Sequence, residues 1–210
     1  MLEALGGFLG KTLGAFVAPL WRYLIATFRR PNIRRVKAPR NLLEHLKPST
    51  SQDHARALLG PAHQVVEQYW FYRFADVLVQ IEFWEGSGAK TVALGLVGQG
   101  KEHRFPVPGF KKPLGQLTIA DVNCDGSALR FRNSLRHEEV LVEVRFGPTG
   151  AWTNWTFGAM SAVGSRALHE SYFEWDIETD QLRTDPSLVL VNWVAASNSG
   201  DEAYFDWSMA

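Results

Sequence analysis

The chain has 210 residues, with 22 Lys plus Arg against 22 Asp plus Glu and a formal net charge of zero. At 46% hydrophobic and 21% charged it is neither disordered nor collagen-like, and its one cysteine excludes a disulfide scaffold or a Cys-based zinc cluster. The zero divides by position: residues 1–40 hold eight basic residues and Glu3 as the one acid, while residues 41–210 hold fourteen basic and twenty-one acidic. A basic head precedes an acidic body, and the balance gives no reason to expect a nucleic-acid partner.

Residues 1–28 read as a membrane-type helix. At about 100° per residue, Leu9, Leu13, Phe16, Leu20 and Leu24 fill a broad apolar face, while Glu3, Lys11 and Arg22 share one narrow arc. Gly6, Gly10 and Gly14 recur at four-residue spacing, which permits close helix–helix packing in lipid. Residues 29–48 read as a basic juxtamembrane linker, with Arg29, Arg30, Arg34 and Arg35 at lipid headgroups and Pro31 and Pro39 stopping the helix. A signal peptide does not fit, because no small-residue cleavage pattern follows and the arginines stand on the wrong side. A spanning anchor, an in-plane amphipathic helix and a soluble helix packed on the body remain open. If the helix spans, the positive-inside rule puts the body in the cytoplasm, beneath a bacterial inner membrane.

Residues 49–210 read as an α+β body. A short helix over NLLEHL stops at Pro48, and a second, capped by Ser49, Thr50 or Ser51, ends at Gly60-Pro61. VLVQIEF at 77–83 is matched by VLVEVRF at 140–146, 63 positions later. In each, alternate apolar residues face one way and polar residues the other, the pattern of a half-buried antiparallel strand. Each strand runs into a glycine turn, EGSG or GPTG, and then a further strand, AKTVALGL or AWTNWTFGAM. YWFYRF and ALRFRN supply preceding strands, and ARALLG and LTIADVNCDG supply helices. The expected unit, about 51–96 and again about 117–160, is a helix followed by a three-stranded meander in a mainly antiparallel sheet. Three more strands are expected in 171–207, over SYFEWDI, LVLVNWVA and EAYFDW.

With ALLGPA, YWFYRF and VLVQIEF the first unit resembles BamE/SmpA-type small lipoproteins, and more broadly the beta-lactamase-inhibitor-protein-like fold of helix–meander units; LGQLTIADV in the second unit is similar to the helix opening of such repeats. The whole also resembles an uncharacterised bacterial membrane-anchored family, through Gly60-Pro61, His103-Arg104-Phe105 and the segment Leu114 to Val122. That resemblance implies a non-enzymatic scaffold or recognition domain. No lipobox cysteine stands here, so lipid attachment and an outer-membrane address do not carry over.

Catalytic signals are absent from the sequence. GLVGQGKE at 95–102 has Gly95, Gly100 and Lys101 at P-loop spacing, but Glu102 replaces the magnesium-binding Ser or Thr and two prolines forbid the following helix. The six histidines show no paired ligand spacing. No metal, cofactor or catalytic residue is assigned. Lys101, Arg104, Lys111, Lys112, Arg130 and Arg132, with His103 and Arg136 beside them, form a candidate anion site if the fold gathers them; otherwise they are solvated loop and strand residues. Trp152 and Trp155 should lie on opposite faces of one strand, leaving one outward as a partner-binding candidate.

The expected function is a membrane-anchored, non-enzymatic binding, sensing or scaffold protein. Its partners would be the anionic inner leaflet, a protein or a second copy, and an anionic small ligand; a membrane effector in phage defence is one form of it. The rival is a soluble metal-dependent hydrolase or nuclease using Asp121, Asp125, Asp176 or Asp180.

Overall fold

The computed structural model describes residues 36–86, 88–98, 103–123, 126, 128–147, 152–162, 169, 171–198 and 203–209. The expected helix at 1–28, with Gly6, Gly10, Gly14 and its apolar face, lies outside the described residues, as do Arg29, Arg30, Arg34 and Arg35. Among the described residues no helix is long and apolar enough to cross a membrane.

Among the described residues three short helices are seen. Helix α1 (Leu42–His45) buries Leu42 and Leu43. Helix α2 (Gln52–Leu59) is capped by Ser51, whose side chain accepts from the His54 backbone N–H, and it stops at Gly60, where φ is 80°. Helix α3 (Ile119–Val122) is shorter than the pattern suggests and opens with a capping box in which Thr118 and Asp121 bond each other's backbone N–H.

The strands are β1 (Gln64–Val66), β2 (Tyr69–Arg73), β3 (Val77–Phe83), β4 (Ala89–Leu96), β5 (Arg130–Asn133), β6 (His137–Phe146), β7 (Thr153–Ala162), β8 (Trp175–Asp176), β9 (Gln181–Leu182) and β10 (Trp193–Ser197). Eight of them form one antiparallel sheet in the order β1-β2-β3-β4-β10-β7-β6-β5, and β8 and β9 form a separate ribbon. The fold is therefore α+β with a mainly antiparallel sheet.

Helix α2 precedes the meander β2-β3-β4, and α3 precedes β5-β6-β7. The cross-strand row Val79–Leu94–Val194–Phe157–Val142 puts two residues 63 positions apart on one face, equidistant from β10. The strand order is mirrored about β10 while strand direction and core face are unchanged. No rotation carries one meander onto the other, so their common pattern follows from sharing one side of one core. That side packs Val79, Phe157 and Val142 with Leu42 and Leu59 of the helices and with Ile119.

Four expectations need correction. First, the second face of the sheet is covered as well: Gln80 is 2% exposed and Glu139 1%, so these strands are not simply half-buried. Second, the expected linker is body from Val36 onward. Ala38 and Leu46 are buried, the Ala75 N–H donates to the Val36 carbonyl at 3.1 Å, and the Ala38 N–H donates to Asp76 Oδ1 at 3.0 Å. Third, the strand expected at 188–195 begins only at Trp193, because Val189 and Val191 bond the backbone of Ile119 and Leu117 instead. Fourth, 171–177 contributes two strand residues, and 203–206 contributes none before a 3-10 turn at Trp207–Met209.

The second face centres on the row Leu78–Gly95–Trp193–Gly158–Leu141. Trp193 and Phe205 stack at 5.7 Å and 17°, and both are buried. A Cβ at Gly158 would sit 1.9 Å from Trp193 Nε1, and one at Gly95 would sit 2.3 Å from Phe205 Cζ. Glycine in mid-strand is thus a requirement of shape. The substitution Gly158→Ala should cost about 2 kcal/mol through overpacking. Urea unfolding followed by tryptophan fluorescence should show a lower midpoint at unchanged slope.

Candidate functional site

The C-terminal segment 203–209 lies on this second face, held by side chains. Gln80 Nε2 donates to the Tyr204 carbonyl at 2.7 Å, and the Asp206 N–H donates to Gln80 Oε1 at 2.8 Å. One carboxamide thereby satisfies both a donor and an acceptor of the segment. Arg132 Nη2 donates to the Ala203 carbonyl at 3.2 Å. The same guanidinium reaches Glu139 with its Nε 2.9 Å from Oε1, so the buried carboxylate has a cation beside it.

Between this segment and the β5–β6 turn is an open hollow of about 540 Å³, lined by Ser134, Leu135, Arg136 and His137 on one side and by Tyr204, Asp206, Trp207 and Ser208 on the other. Ser134 Oγ accepts the N–H groups of Arg136 and His137, each at 3.2 Å, and lies 2.8 Å from His137 Nδ1. The imidazole tilts against the Trp207 ring at 5.9 Å, and its Nε2 is 3.9 Å from Glu139 Oε1. Asp206 Oδ1 accepts from the Ser208 backbone and hydroxyl, at 3.0 and 2.6 Å. Burial and the Arg132 guanidinium push the His137 pKa down, opposed by Asp206. Burial and the charges of Asp206 and Glu139 push Tyr204 up.

Ser134, His137 and Glu139 share the residue types of a nucleophile–base–acid series, but the geometry does not perform that chemistry. The serine oxygen is taken up by two backbone donors, the His–Glu gap exceeds hydrogen-bonding distance, and Arg132 claims the carboxylate. The hollow presents an exposed cation, Arg136, between an exposed leucine and two aromatic side chains. Arg136 has no carboxylate partner among the described residues.

The expected anion cluster is not assembled. Lys112 Nζ contacts both oxygens of Asp121 at 2.7 and 2.8 Å, near Phe110, which packs on Phe157 of the helix-covered face. Arg130 pairs with Glu143 at 3.3 Å and Arg132 with Glu139, both on the opposite face. The Arg104 carbonyl accepts from Arg40, Lys111 is exposed, and Lys101 lies outside the described residues. Gly95 of the P-loop-like spacing is inside β4 under Phe205. Among the rival carboxylates, Asp121 caps α3 and Asp176 is held at about 2 by Arg183. Asp180 accepts from the Trp175 indole, and Asp125 lies outside the described residues. No group of metal-ligating side chains is found among the described residues. Trp155 is buried and stacks on Phe146, whereas Trp152 is 55% exposed, so one faces in and one out.

Sequence reasoning placed Arg136 among the candidate anion residues but did not join it to Gln80, His137 and the C-terminal segment as one site. A glycine interrupting each of two alternating strands was the available signal. No protein-family model, no curated protein and no solved structure matches the chain.

Replacing Gln80 with alanine should strand the Tyr204 carbonyl and the Asp206 N–H and cost about 1–3 kcal/mol. Hydrogen exchange should then rise across 203–209 before it rises in β3 and β4. For His137, a folded pKa below the unfolded value makes the unfolded chain the better proton acceptor. Stability is therefore full above about pH 6.5 and is lost as pH falls through that value toward the depressed one. Unfolding between pH 7 and 5 should show a steeper loss for the native chain than for His137→Gln.

Proposed function

We propose that this chain is a membrane-attached, non-enzymatic binding protein. Residues 1–28 enter or lie on the bilayer, Arg29, Arg30, Arg34 and Arg35 meet anionic headgroups, and the body takes an anionic ligand at the hollow beside the β5–β6 turn. The observation that carries the ligand reading is Arg136. Lys112, Arg130, Arg132 and Arg183 each lie against a carboxylate of this chain, and Arg136 instead stands exposed at the rim of a hollow with Trp207 and Tyr204. Membrane attachment is supported by the one-sided charges of 1–28 and the basic run after them. The bacterial inner membrane with a cytoplasmic body, self-association through Gly6, Gly10 and Gly14, a role in phage defence and kinship with helix–meander lipoproteins belong to the same reading. A hydrolase or nuclease gains no support among the described carboxylates, since Asp121 caps α3, Asp176 pairs with Arg183 and Asp180 accepts from the Trp175 indole.

The full chain should sediment with membranes, and a chain starting at Arg34, where the compact unit Arg34–Ala210 begins, should stay in the supernatant. Recovery of both in the supernatant would end the membrane reading. Alkali extraction of the full chain separates a spanning helix, which stays, from an in-plane one, which is released.

A further inference from the structure

We propose that the hollow beside the β5–β6 turn binds a nucleotide, with its phosphate on Arg136, its base against the Trp207 and Tyr204 rings, and an N–H of the base on Asp206. The nucleotide is the anionic ligand of the proposed function made specific, and it depends on that reading.

The three chemistries that recognise a nucleotide line one hollow of about 540 Å³. That volume falls in the range of small-molecule sites, about 300–1,000 Å³. Arg136 is exposed and pairs with no carboxylate among the described residues, so its planar fork is left to receive two phosphate oxygens. Tyr204 is 49% exposed and Trp207 half-buried. Aromatic rings take up any nucleobase, because every base has a π face. Both bonds from Ser208 to the Asp206 carboxylate fall on Oδ1, and Oδ2 has no hydrogen-bond partner among the described residues. A carboxylate oxygen only accepts, and each nucleobase carries an N–H that can donate to it.

The same groups argue against simpler and larger anions. A bare phosphate gains from Arg136 but meets the Asp206 carboxylate and leaves both rings unused. A nucleic-acid chain needs many cations, and residues 41–210 hold twenty-one acidic residues against fourteen basic. One phosphate with a base attached uses every group.

Both walls are fixed before a ligand arrives. On the turn side the Ser134 N–H donates to the His137 carbonyl at 2.8 Å, and Ser134 Oγ receives the Arg136 N–H at 3.2 Å. On the C-terminal side Gln80 Oε1 accepts the Asp206 N–H at 2.8 Å, and the His137 ring rests on Trp207 at 5.9 Å. Binding therefore has little backbone left to order.

The test is titration calorimetry of the full-length protein in mild detergent, with guanosine monophosphate, guanosine, inorganic phosphate and phenylalanine as probes. Guanosine monophosphate should bind saturably, and guanosine about tenfold more weakly, the effect of one charge-assisted contact. Arg136→Ala should bring the nucleotide down to the affinity of guanosine and leave guanosine unchanged. Asp206→Asn, which keeps an oxygen for Ser208, should weaken both several-fold. Equal weakening of nucleotide and nucleoside by Arg136→Ala would remove the phosphate contact and overturn the assignment. If inorganic phosphate binds through Arg136 and the nucleotide binds no tighter, the nucleotide is wrong and the anionic-ligand reading stands. If neither binds at millimolar concentration, both fail. Tighter binding of phenylalanine, lost with the same two substitutions, would put a carboxylate on Arg136 and an ammonium on Asp206; the ligand would then be an amino acid.

Discussion

Everything on the second face of the sheet depends on the seating of Trp193. Its strand lies between the two meanders, and of its two partners in register Gly158 leaves the space its indole occupies, while Gly95 leaves the space taken by Phe205, which stacks on the indole. A tryptophan is among the largest apolar surfaces a chain can bury, and the energy is recovered only when the ring is fully packed. Leu78 and Leu141 close the row on either side, and Phe205 stacks above. One residue therefore joins both halves of the sheet and brings the end of the chain onto them.

From that contact the candidate site follows. With Phe205 anchored, the backbone on either side of it meets Gln80 and Arg132, whose polar groups replace the pairing a further strand would have supplied. The segment stays irregular because its hydrogen bonds go to side chains. Its far end stands opposite the β5–β6 turn and leaves the hollow open between them. The site is a gap between two elements brought together by a core contact some residues away.

The charges show how local composition and spatial arrangement diverge. Among the cations proposed as an anion site, Lys112, Arg130 and Arg132 lie in the described body as pairs and Arg104, Lys111 and Arg136 as exposed residues. Their partners, Asp121, Glu143 and Glu139, were visible in the sequence but carried no mark of which arginine or lysine each would meet. Salt-bridge pairing depends on register across strands, and a shift of one residue moves every side chain to the other face. Arg136 stood among the expected anion residues, but no local pattern linked it to Gln80 or to the C-terminal segment.

By itself the sequence determined the local elements. Alternation over 77–83 defined β3 to the residue, the glycine turn after it placed β4 over 89–96, Gly60-Pro61 stopped α2, and the basic head was separated from the acidic body by counting. These are short-range consequences of steric preference, capping and the apolar period. The tertiary structure alone decided that the two meanders are mirrored about β10, that Ala38, Leu42, Leu43 and Leu46 belong to the core, and that the last segment is held by a buried glutamine. Each of these is a pairing between residues far apart in the chain, chosen by the fit of whole surfaces, and no local pattern encodes which distant surface will fit.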